Sequence, residues 1–338
     1  MPGHARRLRS VARHLGLPAP TPSSAAQQPV EEALRRLPGG DGPGHAGSLP
    51  GAVDPDAQLS VFLLMGQSSM AGRGMLPEFQ TLNPDILAFH YATDSWDIAR
   101  EPLHIDPPIR DAGVAGLSSY PMGTGLGLGA SFARELLASG GVEGQIGLIP
   151  CAYGGSPLSR WERQPGLTDE WVGNAINIAG NGAAEAADGD LYARMIRRTR
   201  LALERSNCAL CGVLWHQGES DTREIELAES YGTRLSALIS NLREDLAAPY
   251  LPVLIGELGH WLLAEPAPNG KGGMHGAHTH HAIVSAQQRG VAEKVSDCAM
   301  VSAAGLEDRG DHVHFTTEGY KQFGARYAAQ WLRLQPAP

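Results

Sequence analysis

Residues 59–72 read Leu59-Ser60-Val61-Phe62-Leu63-Leu64-Met65-Gly66-Gln67-Ser68-Ser69-Met70-Ala71-Gly72. The first seven are apolar except for one serine. A short, nearly continuous apolar run suits a strand covered on both faces, because polar alternation is lost when neither face meets water. The run stops at a glycine, and small polar residues follow. Strand, glycine, polar turn is the pattern of a parallel sheet whose carboxyl ends present side chains to a ligand.

The same pattern recurs downstream. Gln145–Pro150, Ala209–Trp215, Leu251–Ile255 and Cys298–Ala303 are further short apolar runs. Stretches with helical spacing separate them: Gly125–Leu137, Leu191–Leu203, Ser230–Leu246, His281–Val291 and Thr317–Leu334. Strands alternating with helices build right-handed βαβ units. The spacing predicts a three-layer α/β/α sandwich over residues 59–338, flavodoxin-like in style, with a central parallel sheet of about five strands. No internal repeat is present.

Composition narrows the function. The 338 residues carry 27 Lys+Arg against 36 Asp+Glu, a formal charge of -9. That balance argues against a nucleic-acid partner, which needs clustered basic side chains. No stretch approaches the ~20 apolar residues of a membrane helix. Four cysteines in this length are no disulfide framework. Residues 1–58 differ from the rest, since 17 of 58 are Gly or Pro. Arg6, Arg7, Arg9 and Arg13 precede any acidic residue there, which is transit-peptide-like, but no apolar secretory segment follows them. The leader is read as a disordered or loosely docked extension with one short helix over Val30–Leu37, and the compartment stays open.

Four of the strand ends carry chemistry. The first runs into Gln67, Ser68 and Ser69, and the second into Cys151-Ala152-Tyr153-Gly154-Gly155-Ser156. The third ends in Trp215-His216-Gln217-Gly218-Glu219-Ser220-Asp221. After the fifth come Asp308-Arg309-Gly310-Asp311-His312-Val313-His314-Phe315. A serine hydroxyl is a weak nucleophile and needs an adjacent base, which histidine supplies near neutral pH. The base needs a carboxylate to hold its tautomer, and the oxyanion needs fixed N–H donors. Asp311 and His314, three residues apart, share one side of a turn.

Those blocks resemble the sialate O-acetylesterase and acetylxylan esterase-like carbohydrate esterases of the SGNH hydrolase superfamily. Gly66–Gly74 (GQSSMAGRG) is similar to their first signature, Cys151–Trp161 to the second, Trp215–Asp221 (WHQGESD) to the third and Asp311–Tyr320 (DHVHFTTEGY) to the last. The blocks stand in family order across 59–334. The resemblance implies hydrolysis of acetyl esters on carbohydrate through an acetyl-serine, with no cofactor and no metal. It makes Ser68 the nucleophile, His314 the base and Asp311 its orienting acid. The oxyanion hole it implies combines the Ser68 N–H, the Gly155 N–H and the Gln217 amide, supported by Gln67, Ser69, Gly154, His216 and Glu219. Ser69 departs from the family's usual Asn.

Other readings compete for some of these residues. Ser68 in a strand-to-helix turn is also a good helix N-cap. Trp161 suits either a sugar site or the core. His275, His278, His280 and His281 lie in one short stretch, so a metal-dependent hydrolase or metal-binding module is an alternative. A carbohydrate-binding protein that has lost catalysis through Ser69 is another. Gly125–Ala130 matches GxGxxA without a preceding strand, which speaks for helix packing rather than a dinucleotide. Cys208 and Cys211 sit on a strand at a spacing that faces them to opposite sides, which disfavours redox or zinc chemistry.

Overall fold

β1 (Leu59–Gly66) is buried along its whole length. It lies between β4 (Gln145–Pro150) and β5 (Cys208–His216), parallel to both. The computed structural model describes residues 58–90, 93–104, 124–164, 191–263 and 278–335. The leader reading, including its short helix, lies outside these residues except for Gln58. β6 (Val253–Gly256) and β7 (Cys298–Val301) extend the sheet in parallel beyond β5. The five strands expected from sequence therefore lie in the order two-one-three-four-five, the flavodoxin arrangement.

Among the described residues the sheet has seven strands, not about five. β2 (Ile86–Phe89) pairs in parallel with β4, and β3 (Trp96–Ile98) closes that edge antiparallel to β2. Four and three residues are too few to show a period, which hides both strands in the sequence.

Successive β1 residues point to opposite faces. Leu59, Val61, Leu63 and Met65 join one core with Tyr192 and Ile196 of α3 (Leu191–Glu204) and Leu235 and Ile239 of α4 (Ile225–Asp245). That core also takes Val284 of α5 (His281–Lys294). Phe62 and Leu64 join the other core with Phe132 of α2 (Gly129–Ala138) and Trp331 of α6 (Thr317–Leu334). Phe62 meets Phe132 and Trp331 edge-on, at 4.8 and 5.4 Å between ring centres. Each such fully buried side chain contributes about 1.5–3 kcal/mol relative to exposure. Cys208 packs on the first core and Cys211 on the second, so the CxxC faces opposite ways.

The helix expected from Gly125 begins only at Gly129. Gly125 and Leu126 lie instead against the turn after β1, where Gly74 and Leu126 form an antiparallel bridge. A Cβ on Gly125 would sit 2.1 Å from the Gly74 carbonyl oxygen. The glycines of this GxGxxA stretch serve close chain approach. That turn (α1, Ser68–Ala71) is short and buried.

Beside this junction Glu101 is buried, and its Oε2 accepts from the Leu103 N–H at 3.1 Å. Burial pushes its carboxyl up to about 7, against the partial relief of backbone bonds from Leu103 and Gly127. Between the ordinary value of 4.5 and about 7 the folded protein keeps a proton that the unfolded chain has lost. Stability should therefore fall as pH rises through that window, by about 3 kcal/mol. Glu101→Gln should remove this slope in urea unfolding at pH 5 and pH 8. An equal drop in the variant would assign the slope to another group.

Candidate active site

β1 delivers Ser68 to the middle of the sheet's carboxyl edge. Gly66, at φ 135°, makes this possible: a Cβ there would lie 2.0 Å from the His216 carbonyl oxygen. The Gln67 N–H then donates to that same oxygen at 2.9 Å, fixing the first residue of the turn. Gln67, not Ser68, occupies the N-cap position, so the Ser68 hydroxyl is not used as a cap.

Ser68 Oγ lies 2.9 Å from His314 Nε2, across 246 residues of chain. His314 Nδ1 lies 2.7 Å from Asp311 Oδ2. Asp311 Oδ1 accepts from the N–H groups of Val313 (3.0 Å) and His314 (2.8 Å). Partial burial raises the Asp311 carboxyl, but the bonds from the His314 side chain and backbone outweigh it. They hold the group well below the usual carboxylate range. An ionised carboxylate only accepts, so Nδ1 carries a proton, and in the neutral imidazole Nε2 is then the acceptor toward the serine hydroxyl. The local spacing of Asp311 and His314 predicted the pairing; the serine contact is a product of the fold.

The loop around them is tied down by residues the sequence reading passed over. Asp308 Oδ2 accepts from the Gly310 and His312 N–H groups, both at 2.9 Å. Arg309 donates its backbone N–H to His314 O at 2.9 Å and its guanidinium to Arg73 O at 2.6 Å. The Arg309 guanidinium also stands 3.7 Å from Asp311 Oδ2. An aspartate accepting from N–H groups two and four residues ahead was the available signal for Asp308.

The turn that follows β4 lies beside Ser68. Tyr153 N–H donates to Gly66 O at 2.9 Å, carrying the strand pairing past its end. Gly154 then faces Ser68, since a Cβ on it would stand 3.9 Å from Ser68 Cβ and 2.8 Å from the Arg73 guanidinium. Gly155 turns at φ 69°. Among the described residues the N–H groups of Ser68 and Gly155 donate to no backbone or side-chain acceptor.

Gln217, expected to donate to the oxyanion, already has protein partners. It is fully buried, with Nε2 at 2.6 Å from Asp221 Oδ2, 3.1 Å from Ser156 O and 3.2 Å from Gln67 Oε1. Two N–H hydrogens thus face three acceptors. Its Oε1 accepts from the Tyr231 hydroxyl at 2.9 Å, and Gln288 donates to its backbone oxygen at 2.8 Å. Asp221 also accepts from the Leu158 N–H at 3.0 Å. Asp221, the last residue of WHQGESD, was not among the expected site residues.

His216 and Glu219 lie beneath this layer. His216 Nε2 is 3.5 Å from Glu219 Oε1, and its ring meets Phe315 and Phe323 edge-on. Burial raises the Glu219 carboxyl, but the adjacent His216 outweighs it and holds the group well below its ordinary value. Ser69 is completely buried beside Glu219 and Tyr320, and its Oγ makes no well-formed hydrogen bond among the described residues. The shorter side chain leaves the Ser68–His314 contact formed. Trp161 is a core residue: it is fully buried, bonded to Ser156 Oγ at 3.0 Å and packed edge-on against Trp215.

Among the described residues the histidine cluster is not placed to hold a metal ion. His275 lies outside the described residues. His278 Nδ1 is 2.7 Å from Thr222 Oγ1, and burial lowers both His278 and His281. Among the described residues no group of three His, Cys, Asp or Glu is placed to hold a metal ion.

Residues 58–333 match the family model described as carbohydrate esterase, sialic acid-specific acetylesterase. A probable carbohydrate esterase of Arabidopsis thaliana is 32% identical over 305 residues, covering 84% of this chain and 96% of its own length. An Arabidopsis thaliana protein of known crystal structure is 30% identical, with TM-score 0.60 over 81% of this chain and 98% of its own. The crystal structure of NanS shares the fold, with TM-score 0.54 at 16% identity, covering 83% and 98%.

Two carboxylates compete for the orienting role, and only Asp311 contacts His314 among the described residues. Asp311→Asn should lower kcat on one small acetate ester by about 10⁴, because an amide can favour the wrong tautomer. Glu219→Gln should have the smaller effect on the same substrate. Reversal of that ranking would transfer the role to Glu219.

Proposed function

Because this chain belongs to the carbohydrate esterase, sialic acid-specific acetylesterase family, we propose that it removes acetyl groups from sugars through an acetyl-Ser68 intermediate. It is a carboxylic ester hydrolase, and its substrates are O-acetylated carbohydrates. The finer reading is that the acetyl group is carried by a polysaccharide or a sialic-acid-type sugar.

The observation that supports the serine route is the continuous chain from Ser68 Oγ through His314 to Asp311, at 2.9 and 2.7 Å. His314 takes the hydroxyl proton as Ser68 attacks the acetyl carbonyl. The negative oxygen that forms meets the Ser68 and Gly155 N–H groups, which have no competing acceptor among the described residues. Such donors need no reorganisation when charge appears, which is what makes them effective. Gln217 is the third donor in this scheme. Its Asp221 bond is the strongest, but Ser156 O and Gln67 Oε1 share its other hydrogen, and a full negative charge outcompetes neutral carbonyls. As the tetrahedral intermediate collapses and its bond to the sugar oxygen breaks, His314 gives its proton to that oxygen, which leaves as the hydroxyl. His314 then activates water against acetyl-Ser68.

Acid quench during turnover of an aryl acetate should trap acetate on the peptide containing Ser68, and Ser68→Ala should abolish both label and turnover. Gln217→Ala should lower kcat on that sugar-free substrate by about 10²–10³. A Gln217 defect confined to sugar esters, and mainly in KM, would remove it from the oxyanion hole. Retained turnover in Ser68→Ala would overturn the covalent route.

A further inference from the structure

Four large apolar side chains are strongly exposed among the described residues, and three of them fall within one five-residue loop: Met75 (81% exposed), Leu76 (44%) and Phe79 (84%). Solvent-exposed apolar groups scattered singly need no explanation, whereas a concentration of them marks a binding surface. This loop begins where the nucleophile turn ends.

Both ends of the loop are clamped to the catalytic framework. At its start Gly74 exchanges N–H and carbonyl bonds with Leu126, both at 3.0 Å. The Met75 N–H donates to Thr317 Oγ1 at 2.7 Å, three residues beyond the base His314. A Cβ on Gly74 would stand 3.2 Å from Thr317 Cα, so the loop presses directly on that segment. At its far end Gln80 Oε1 accepts from the Glu101 N–H at 2.8 Å. Pro77 restricts the backbone between these anchors. The apolar side chains are thus held out from a fixed shelf that joins the nucleophile turn to the base loop.

We propose that Met75, Leu76 and Phe79 form a platform for a pyranose ring of an acetylated oligosaccharide, beside the sugar oxygen that His314 protonates. The proposal rests on the acetylesterase reading and specifies how the sugar is held. A pyranose presents a C–H face as well as hydroxyls, and an exposed aromatic ring offers that face a flat apolar partner. Anionic membrane lipid is a poor fit, because residues 75–80 carry Glu78 and no Lys or Arg, and the chain as a whole is at -9.

The test compares wild type, Phe79→Ala and Phe79→Trp on a panel of acetylated xylo- and gluco-oligosaccharides and on 4-nitrophenyl acetate. For Phe79→Ala the ratio of kcat/KM on oligosaccharide to that on aryl acetate should fall about five- to tenfold, carried by KM. Phe79→Trp should restore it. An unchanged ratio would overturn the platform, as would equal losses on both substrates, which would mean that the loop only supports the nucleophile. A dimer in wild type that dissociates in Phe79→Ala, seen by sedimentation, would overturn it in favour of a self-association surface. Binding to phosphatidylcholine vesicles that Phe79→Ala abolishes would overturn it in favour of a lipid surface. Wild type inactive on both substrates would overturn the esterase reading, and the platform with it.

Discussion

The close passage of two backbones at the end of β1 sets the position of the site's other parts. Gly66 and His216 face one another in adjacent parallel strands, and a single Cβ would close the gap to 2.0 Å. Only glycine allows both the contact and the φ of 135°. Because of it, the turn carrying Ser68 leaves the sheet at the point where strand order reverses, with β4 on one side and β5 on the other. Gly155, Gln217 and His314 then approach from the ends of three different strands. A shift of β1 by one residue would turn Ser68 away from all of them.

Under that edge the molecule carries an unusual amount of buried polarity. His216, Gln217, Glu219 and Asp221 are all nearly inaccessible, and most of their bonds run among themselves or to backbone. Such groups are expensive to bury unless satisfied. The Gln217 and Asp221 side chains are bonded, whereas both His216 ring nitrogens and Glu219 Oε2 make no hydrogen bond among the described residues. Hydrogen bonds here join the ends of β4 and β5: Ser156 O and Asp221 both hold the Gln217 amide, and Ser220 donates to Gly155 O at 3.2 Å. These bonds tie the Gly155 turn to the segment that follows β5. The loop carrying His314 is held differently, by Asp308 bonds within the loop and by Arg309, which donates to Arg73 O.

Much of this was legible in the sequence. Five apolar runs became five parallel strands, and the long helices began and ended near the expected residues, because buried strands and amphipathic helices leave a periodic trace. The Asp311–His314 pair was readable from local spacing alone. β2 and β3 left too short a trace, and Gly125–Leu128 looked helical although its glycines serve a contact with Gly74.

The sequence by itself determined the layers, the strand ends that carry polar blocks, and the residue types available for acyl transfer. Those properties depend on local pattern and on chemistry intrinsic to each side chain. Tertiary structure alone decided which of those residues meet. It placed Ser68 within 2.9 Å of a histidine 246 residues away and left its N–H and that of Gly155 without acceptors among the described residues. It also engaged the Gln217 amide with three buried oxygens and put Trp161 in the core. Burial and hydrogen-bond partners are properties of the packed chain, and no local pattern encodes them.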